Sequence, residues 1–315
     1  MNKFYIQIVF FLLIISLFVN NKTHETELDP EKYIIPKFKN DTKLKSKKDT
    51  NLKSKKDTNL KSKKDAKPKS KKDAKLKSPK RYLTSEEIYE KNKHLLHNDP
   101  KETLQAYAYM NKALNQLEYH ATSKDGYKLY DFYCYYNIKF YKKKHQGHTL
   151  VKKVEYTVVN LNKYNELINM FWDPDSSDFL YEGSVKRKIV RVYNPNLVMI
   201  QQRSKSHRLG RQKYFYALAA KFKISENKTM IVMASANIND HNHKNVKSFR
   251  NTIVENANLF KANIDSEDDI RNGKLQKMFV NLNGYIVEKK RNRVYITYIN
   301  SVNGIHILIT YFNNC

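Results

Sequence analysis

The sequence predicts an α+β domain, with helices first and then a long run of mostly antiparallel strands. Three observations carry this. Cap signals at Thr84 or Ser85 and at Asp99 open two segments of helical period. After Asp125-Gly126 the period of apolar residues changes from 3.6 to 2. The strand-like segments that follow are joined by turns, with one short helix among them and no regular crossover helices.

Taken in order, Thr84 or Ser85 caps a helix over Glu86 to Leu96. Asp99-Pro100-Lys101-Glu102 then reads as cap, first-turn proline and nearby acid, opening a helix to about His120. Its apolar stripe is Leu104, Tyr107, Ala108, Leu114, Leu117 and Ala121. Strands are expected at Tyr127–Tyr141, Val151–Leu161, Val185–Tyr193, Leu197–Gln202, Lys277–Glu288 and Arg293–Ile299. A helix over Lys163 to Trp172 interrupts them, with Trp172 as a core anchor before Asp173-Pro174.

The most informative segment is a hairpin between Lys213 and Ser235, with Glu226-Asn227-Lys228 as its turn. In steps of two, Tyr214, Tyr216, Leu218, Ala220, Phe222 and Ile224 share one face; Phe215, Ala217 and Ala219 lie on the other with Lys213, Lys221 and Lys223. That aromatic and aliphatic face suits either the wall of an apolar cavity or a packed core.

The chain is strongly basic, at +28 in 315 residues. Residues 41–80 hold 17 lysines against 5 aspartates, +12 of that total, leaving +16 elsewhere. Such an excess attracts anionic membranes, acidic proteins or nucleic acid. Within residues 41–80 an octapeptide recurs five times, as in Asp49-Thr-Asn-Leu-Lys-Ser-Lys-Lys56. It has no aromatic residue and too little apolar area to offset chain entropy, so it reads as a disordered basic tether. Without aromatics among its lysines it lacks a stacking platform, and nucleic acid is not an expected partner. Lys3 precedes an apolar run from Phe4 to Val19, which suits a signal peptide and entry to the secretory route. The expected organisation is a signal peptide (1–20), a polar linker (21–40), the basic repeat (41–80), a folded domain (81–304) and an apolar tail (305–315).

Enzymatic signatures are missing: no nucleophile elbow, no His-Glu-x-x-His and no glycine-rich phosphate loop, with seven glycines in all. Two cysteines, Cys134 and Cys315, exclude a disulfide framework and any cysteine-based zinc site. His241 and His243 stand two apart in a polar loop and are expected to bind nothing. The loop Ser204-Lys-Ser-His-Arg-Leu-Gly-Arg211 is a solvated turn or a contact for headgroup phosphate through Arg208 and Arg211. No enzyme activity, cofactor or metal is expected.

Leu117-Glu-Tyr-His-Ala-Thr-Ser-Lys-Asp-Gly126, Gly183-Ser-Val-Lys-Arg-Lys-Ile-Val-Arg-Val-Tyr-Asn-Pro-Asn196, Gln212 to Asp240, and Ile264-Asp-Ser-Glu-Asp-Asp-Ile270 together resemble the Fam-A proteins of rodent malaria parasites. The resemblance covers roughly residues 1–30 and 81–304. It implies a START-like helix-grip fold, in which a curved antiparallel sheet surrounds a lipid tunnel closed by a C-terminal helix. It also implies secretion and export into the host cell. Against the START pattern, only eleven residues follow Gly304, too few for the usual lid helix, which is expected to be shortened or missing. Leu218 falls where some sterol-binding members have a cavity arginine.

With the resemblance, the expected function is binding and transfer of phosphatidylcholine or a related phospholipid at a membrane surface. The residues expected to contact lipid are Tyr214, Tyr216, Leu218, Phe222, Met233 and Tyr285. The alternative is an exported interaction scaffold on the same fold without transfer activity.

Overall fold

The computed structural model describes residues 81–176, 184–205, 210–244, 249–255 and 259–302. The expected signal peptide, linker, basic repeat and C-terminal tail lie outside the described residues, as do the segment before Ser184 and His207 with Arg208 of the basic loop.

Two helices open the domain. α1 (Ser85–Lys91) carries a complete capping box, in which Thr84 accepts from the Glu87 backbone and the Glu87 carboxylate accepts from the Thr84 backbone. α2 (Pro100–Thr122) starts with Pro100 at its first turn, and the Asp99 side chain accepts from Lys101 N–H. The strands follow: β1 (Lys128–Tyr133), β2 (Ile138–His145), β3 (Thr149–Val158), β4 (Ser184–Asn194), β5 (Leu197–Lys205), β6 (Lys213–Ser225), β7 (Lys228–Ala234), β8 (Asn237–Asn239), β9 (Lys261–Asn263), β10 (Gln276–Lys277), β11 (Val280–Lys290) and β12 (Arg293–Val302). α3 (Lys163–Trp172) lies between β3 and β4, and a single turn, α4 (Asp268–Arg271), between β9 and β10. The fold is therefore α+β, dominated by one large antiparallel sheet. Among the described residues, no helix is long and apolar enough to cross a membrane.

The main sheet runs β1-β2-β3-β12-β11-β7-β6-β5-β4, with β10 added in parallel beside β6. Both of its faces are covered, so the chain forms two apolar cores. On one face α2 buries Ala106, Tyr109, Met110, Ala113, Leu117 and Ala121 against β6, β7 and β11. Of the expected stripe, Leu117 and Ala121 are buried here and Tyr107 and Leu114 pack partly buried against the same core, whereas Ala106, Tyr109, Met110 and Ala113 join it in addition. The approach is close at Gly284, where an added Cβ would stand 2.4 Å from the Ile231 carbonyl and 2.9 Å from Leu117 Cδ2. On the other face Ile88 of α1 and Tyr164, Ile168 and Trp172 of α3 pack over Phe215, Ala217, Ile231 and Tyr285.

Two expected strands are broken. Tyr127–Tyr141 divides at residues 134–137, where Asn137 takes φ +48 in the β1–β2 turn. The unbroken aromatic run had concealed that turn. Lys277–Glu288 divides after β10, so that Met278 N–H reaches the Tyr214 carbonyl before β11 begins.

Candidate functional site

Successive side chains on β6 point to opposite faces, and this assigns the expected lipid contacts. Tyr214, Tyr216, Leu218 and Phe222 all belong to the core on the α2 side of the sheet, where they are packed rather than open. The Tyr214 hydroxyl donates to Asp240 at 2.8 Å, and Asp240 pairs with Lys277 at 2.9 Å, both acid and ring being buried. The Tyr216 hydroxyl accepts from Gln201 Nε2 at 2.7 Å, the amide that also donates to Glu267 at 2.7 Å. Burial raises the pKa of both tyrosines well above the usual phenol range, so that both rings keep their hydroxyl protons. Burial also opposes ionisation of Glu267, but bonds from Lys188 and Gln201 outweigh it and hold that carboxyl at about 2. Phe222 meets Tyr107 of α2, with ring centroids 6.2 Å apart. The four residues read as a cavity wall are thus a structural core, because α2 together with Ile238, Phe260, Ile264, Ile270 and Leu275 occupies the space on this face.

Met233 and Tyr285 lie on the opposite face, and there they line a cavity of about 70 Å³ between the sheet and the C-terminal end of α3. Its sheet wall uses the alternate residues of each strand: Ile200 on β5, Phe215 and Ala219 on β6, Ile231 on β7, Tyr298 on β12. The small side chain of Ala219, between Val198 on β5 and Met233 on β7, leaves room there. The roof comes from Phe171, Trp172 and Pro174. Asn162 starts α3 without a side-chain cap bond, and the helix ends at Asp173 because Pro174 cannot continue it.

Three rings occupy the middle of this face. Phe171 stacks on Tyr285 at 4.0 Å with planes 5° apart, and Tyr285 stacks on Tyr298 at 4.5 Å. The Tyr298 hydroxyl accepts from Asn283 Nδ2 at 2.8 Å and Asn300 Nδ2 at 3.0 Å. Arg187 is the one cation among the described lining residues. Its guanidinium is half-buried and oriented by Nε donating to Gln202 Oε1 at 2.8 Å. Lys221 is on the same face of β6, hydrogen-bonded to the Ser85 hydroxyl and 5.8 Å above the Trp172 ring. Burial lowers its pKa. The site is therefore apolar with a few fixed polar groups, the composition of a small-molecule pocket.

Sequence reasoning missed Phe171, Tyr298, Ala219 and Arg187. The usable signal was the second face of β6: Phe215, Ala217 and Ala219 are as apolar as the tyrosine face, but smaller.

Other candidates resolve differently. Arg211 donates to the carbonyls of Gly273 and Lys274, closing the turn after α4, and so is not a free phosphate contact. His241 and His243 line an open polar hollow of about 430 Å³ with Asn237, Asn242 and Lys277; it is larger than the α3 cavity but unsuited to an apolar ligand. Among the described residues, His97, Asp99 and Glu102 form the one trio with metal-like spacing. Arg191 already neutralises Glu102 at 2.5 Å and Tyr193 donates to it at 2.6 Å.

No family model matches the chain, and no curated protein matches it. Solved structures do. Human STARD10 is 9% identical, with 62% of this chain and 67% of that one covered and a TM-score of 0.43. Human StAR-related lipid transfer protein 5 is 10% identical, covering 66% and 86%, at 0.44. The lipid transfer and protein localization domain of human StarD13 is 14% identical, covering 61% and 84%, at 0.36.

Proposed function

We propose that the chain is a secreted, non-enzymatic lipid-binding protein of the Fam-A kind, carrying phosphatidylcholine or a related phospholipid between membranes. The observation that carries this reading is the apolar cavity under α3, with Arg187 fixed among its polar groups. Acyl chains enter beside Met233 and Tyr285, each buried methylene contributing about 0.8 kcal/mol. The guanidinium faces a headgroup phosphate, for which its planar donors are suited.

At about 70 Å³ the closed cavity falls below the roughly 300–1,000 Å³ of ligand pockets. Uptake of a phospholipid therefore needs displacement of α3 and its Phe171 ring. A second reading is favoured by that same ring stack: a grip filled by its own aromatics serves as an exported interaction scaffold without cargo.

Organic extraction of the purified full chain, with mass spectrometry of the extract, separates the two. One stoichiometric phospholipid species supports the carrier. A folded protein that yields no lipid, before and after incubation with vesicles, supports the scaffold and sinks the carrier.

A further inference from the structure

The β1–β2 hairpin carries an exposed surface that the folded core does not account for. β1 is the edge strand of the main sheet, three strands from β12. Leu129 is 55% exposed, Tyr130 41%, Phe132 43% and Tyr135, in the turn, 86%. Edge strands ordinarily present charge or proline, since exposed apolar edges invite association. Here the apolar residues lie on both sides of the strand. Phe132 opposes Lys139, and Leu129 opposes Tyr141. Tyr130, at the bulge between Leu129 and Asp131, turns toward Phe140 at 6.2 Å instead.

Lysines surround these rings. Lys128, Lys139, Lys142 and Lys144 are exposed, and Lys142 Nζ stands 5.2 Å above the Tyr130 ring. From Lys128 to His145 there are five lysines and one acid, Asp131. Tyrosine rings with lysines beside them are the composition of a membrane interface: ring bodies enter the headgroup zone, hydroxyls stay wet, and lysine stems reach back to phosphate.

We infer that the β1–β2 hairpin is a docking surface for an anionic lipid bilayer. The inference deepens the lipid-carrier reading and rests on it for its biological sense. Charge complementarity selects the occupant. A second copy pairing along β1 would bring two surfaces of like charge together, across a strand whose edge is interrupted by the bulge. A single-stranded nucleic acid needs rings on one continuous platform, whereas Tyr130 and Phe132 face opposite sides of the strand. A bilayer interface accommodates both sides of an inserted hairpin.

The test places tryptophan reporters in the full chain: Phe132→Trp and Tyr135→Trp, with Leu259→Trp as an exposed control outside the hairpin. The native Trp172 lies in the roof of the α3 cavity, so the unsubstituted chain is titrated in parallel and its own change is subtracted from each variant's. Each is mixed with phosphatidylcholine–phosphatidylserine vesicles containing brominated acyl chains. The hairpin reporters are expected to shift to the blue and to be quenched severalfold more than the control. Both effects should vanish on pure phosphatidylcholine vesicles, and at about 1 M salt, where the Debye length is about 3 Å.

Vesicle binding with unquenched hairpin reporters would show that the basic repeat docks alone, and overturns the inference. Hairpin reporters already blue-shifted without vesicles would mean that the chain itself or a second copy covers this surface, which also overturns it. Preferential loss of vesicle quenching to a single-stranded oligonucleotide competitor at equal charge would assign the surface to nucleic acid instead. Lipid extraction reads the α3 cavity independently, so docking without cargo and cargo without docking are distinguishable results.

Discussion

Phe171 is the most informative residue to change. Its ring forms the first layer of the Phe171–Tyr285–Tyr298 stack and sits on the roof of the cavity, so Phe171→Ala removes the roof side while leaving the sheet intact. A fully buried phenylalanine loses about 3–5 kcal/mol on truncation to alanine. Phe171 is partly buried, and its stacking contributes about 0.5–1.5 kcal/mol beyond area. A cost of about 2 kcal/mol follows, lowering Tm by about 4–8 °C for a domain of this size. The vacated ring joins the existing space, which at about 70 Å³ is too small for a chain of any length. Room for two further methylenes gains about 1.6 kcal/mol, or roughly 15-fold in affinity.

The assay pairs thermal unfolding with titration of a fluorescent phospholipid, measured on delipidated wild type and variant. The expected result is a less stable protein that binds lipid more tightly. If Tm falls while affinity stays level or weakens, Phe171 is a wall that holds cargo and not a plug that excludes it, and the reasoning from ring volume is wrong.

Three further outcomes test the framework around the cavity. Gly284→Ala brings a methyl group against the Ile231 carbonyl and Leu117, and is expected to cost about 3 kcal/mol, read as a lower denaturant midpoint at unchanged m-value. Tyr214→Phe removes the hydroxyl that donates to buried Asp240; a loss of about 1.5–3 kcal/mol in chemical denaturation is expected, with lipid content unchanged because the residue lies across the sheet from the cavity. His120 is fully buried at the end of α2, hydrogen-bonded to Tyr127, and burial, with His145 and Lys143 nearby, lowers its pKa to about 4. An unfolded histidine titrates near 6.5, so between pH 6.5 and 4 the unfolded chain binds a proton that the folded chain refuses. Stability present above pH 6.5 should fall by up to about 3 kcal/mol as pH drops to 4, and His120→Asn should flatten that slope in pH-dependent melting.

Local signals in the sequence were reliable where a single side chain makes the structure. Thr84 and Asp99 cap the helices they were expected to cap, Pro174 closes α3 after Trp172, and Asp125-Gly126 marks the passage to strands. Asn137, in a left-handed conformation that asparagine tolerates, is hard to recognise as a turn because Tyr135-Tyr136 precede it and Ile138 follows, all residues common in strands. The residues expected to contact lipid divide between the two faces of the sheet. Met233 and Tyr285 line the cavity, whereas Tyr214, Tyr216, Leu218 and Phe222 lie across the sheet from it. Period-2 reading separates the faces of β6 correctly but cannot say what stands in front of each. A strand covered on both sides is apolar on both, and the larger rings drew attention to the face that α2 fills.

Helix length explains why the space lies on the other face. α2 has 23 residues, about 34 Å at 1.5 Å per residue, and can cover most of the length of strands such as β11 and β6. α3 has 10 residues, about 15 Å, and stops at Asp173. A sheet with strands of 11 and 13 residues on both sides of β7 spans more than α3 can roof. The cavity sits at the point where that roof ends, lined by Phe171 and Trp172 from the last turn and by Pro174 beyond it. The same residues that terminate the helix therefore border the cavity. Lengthening α3 by replacing Pro174 with alanine should extend the roof over Met233 and reduce lipid uptake without lowering Tm. Unchanged uptake in a variant with added helicity by circular dichroism would mean that the cavity owes its position to the ring stack and not to the end of α3.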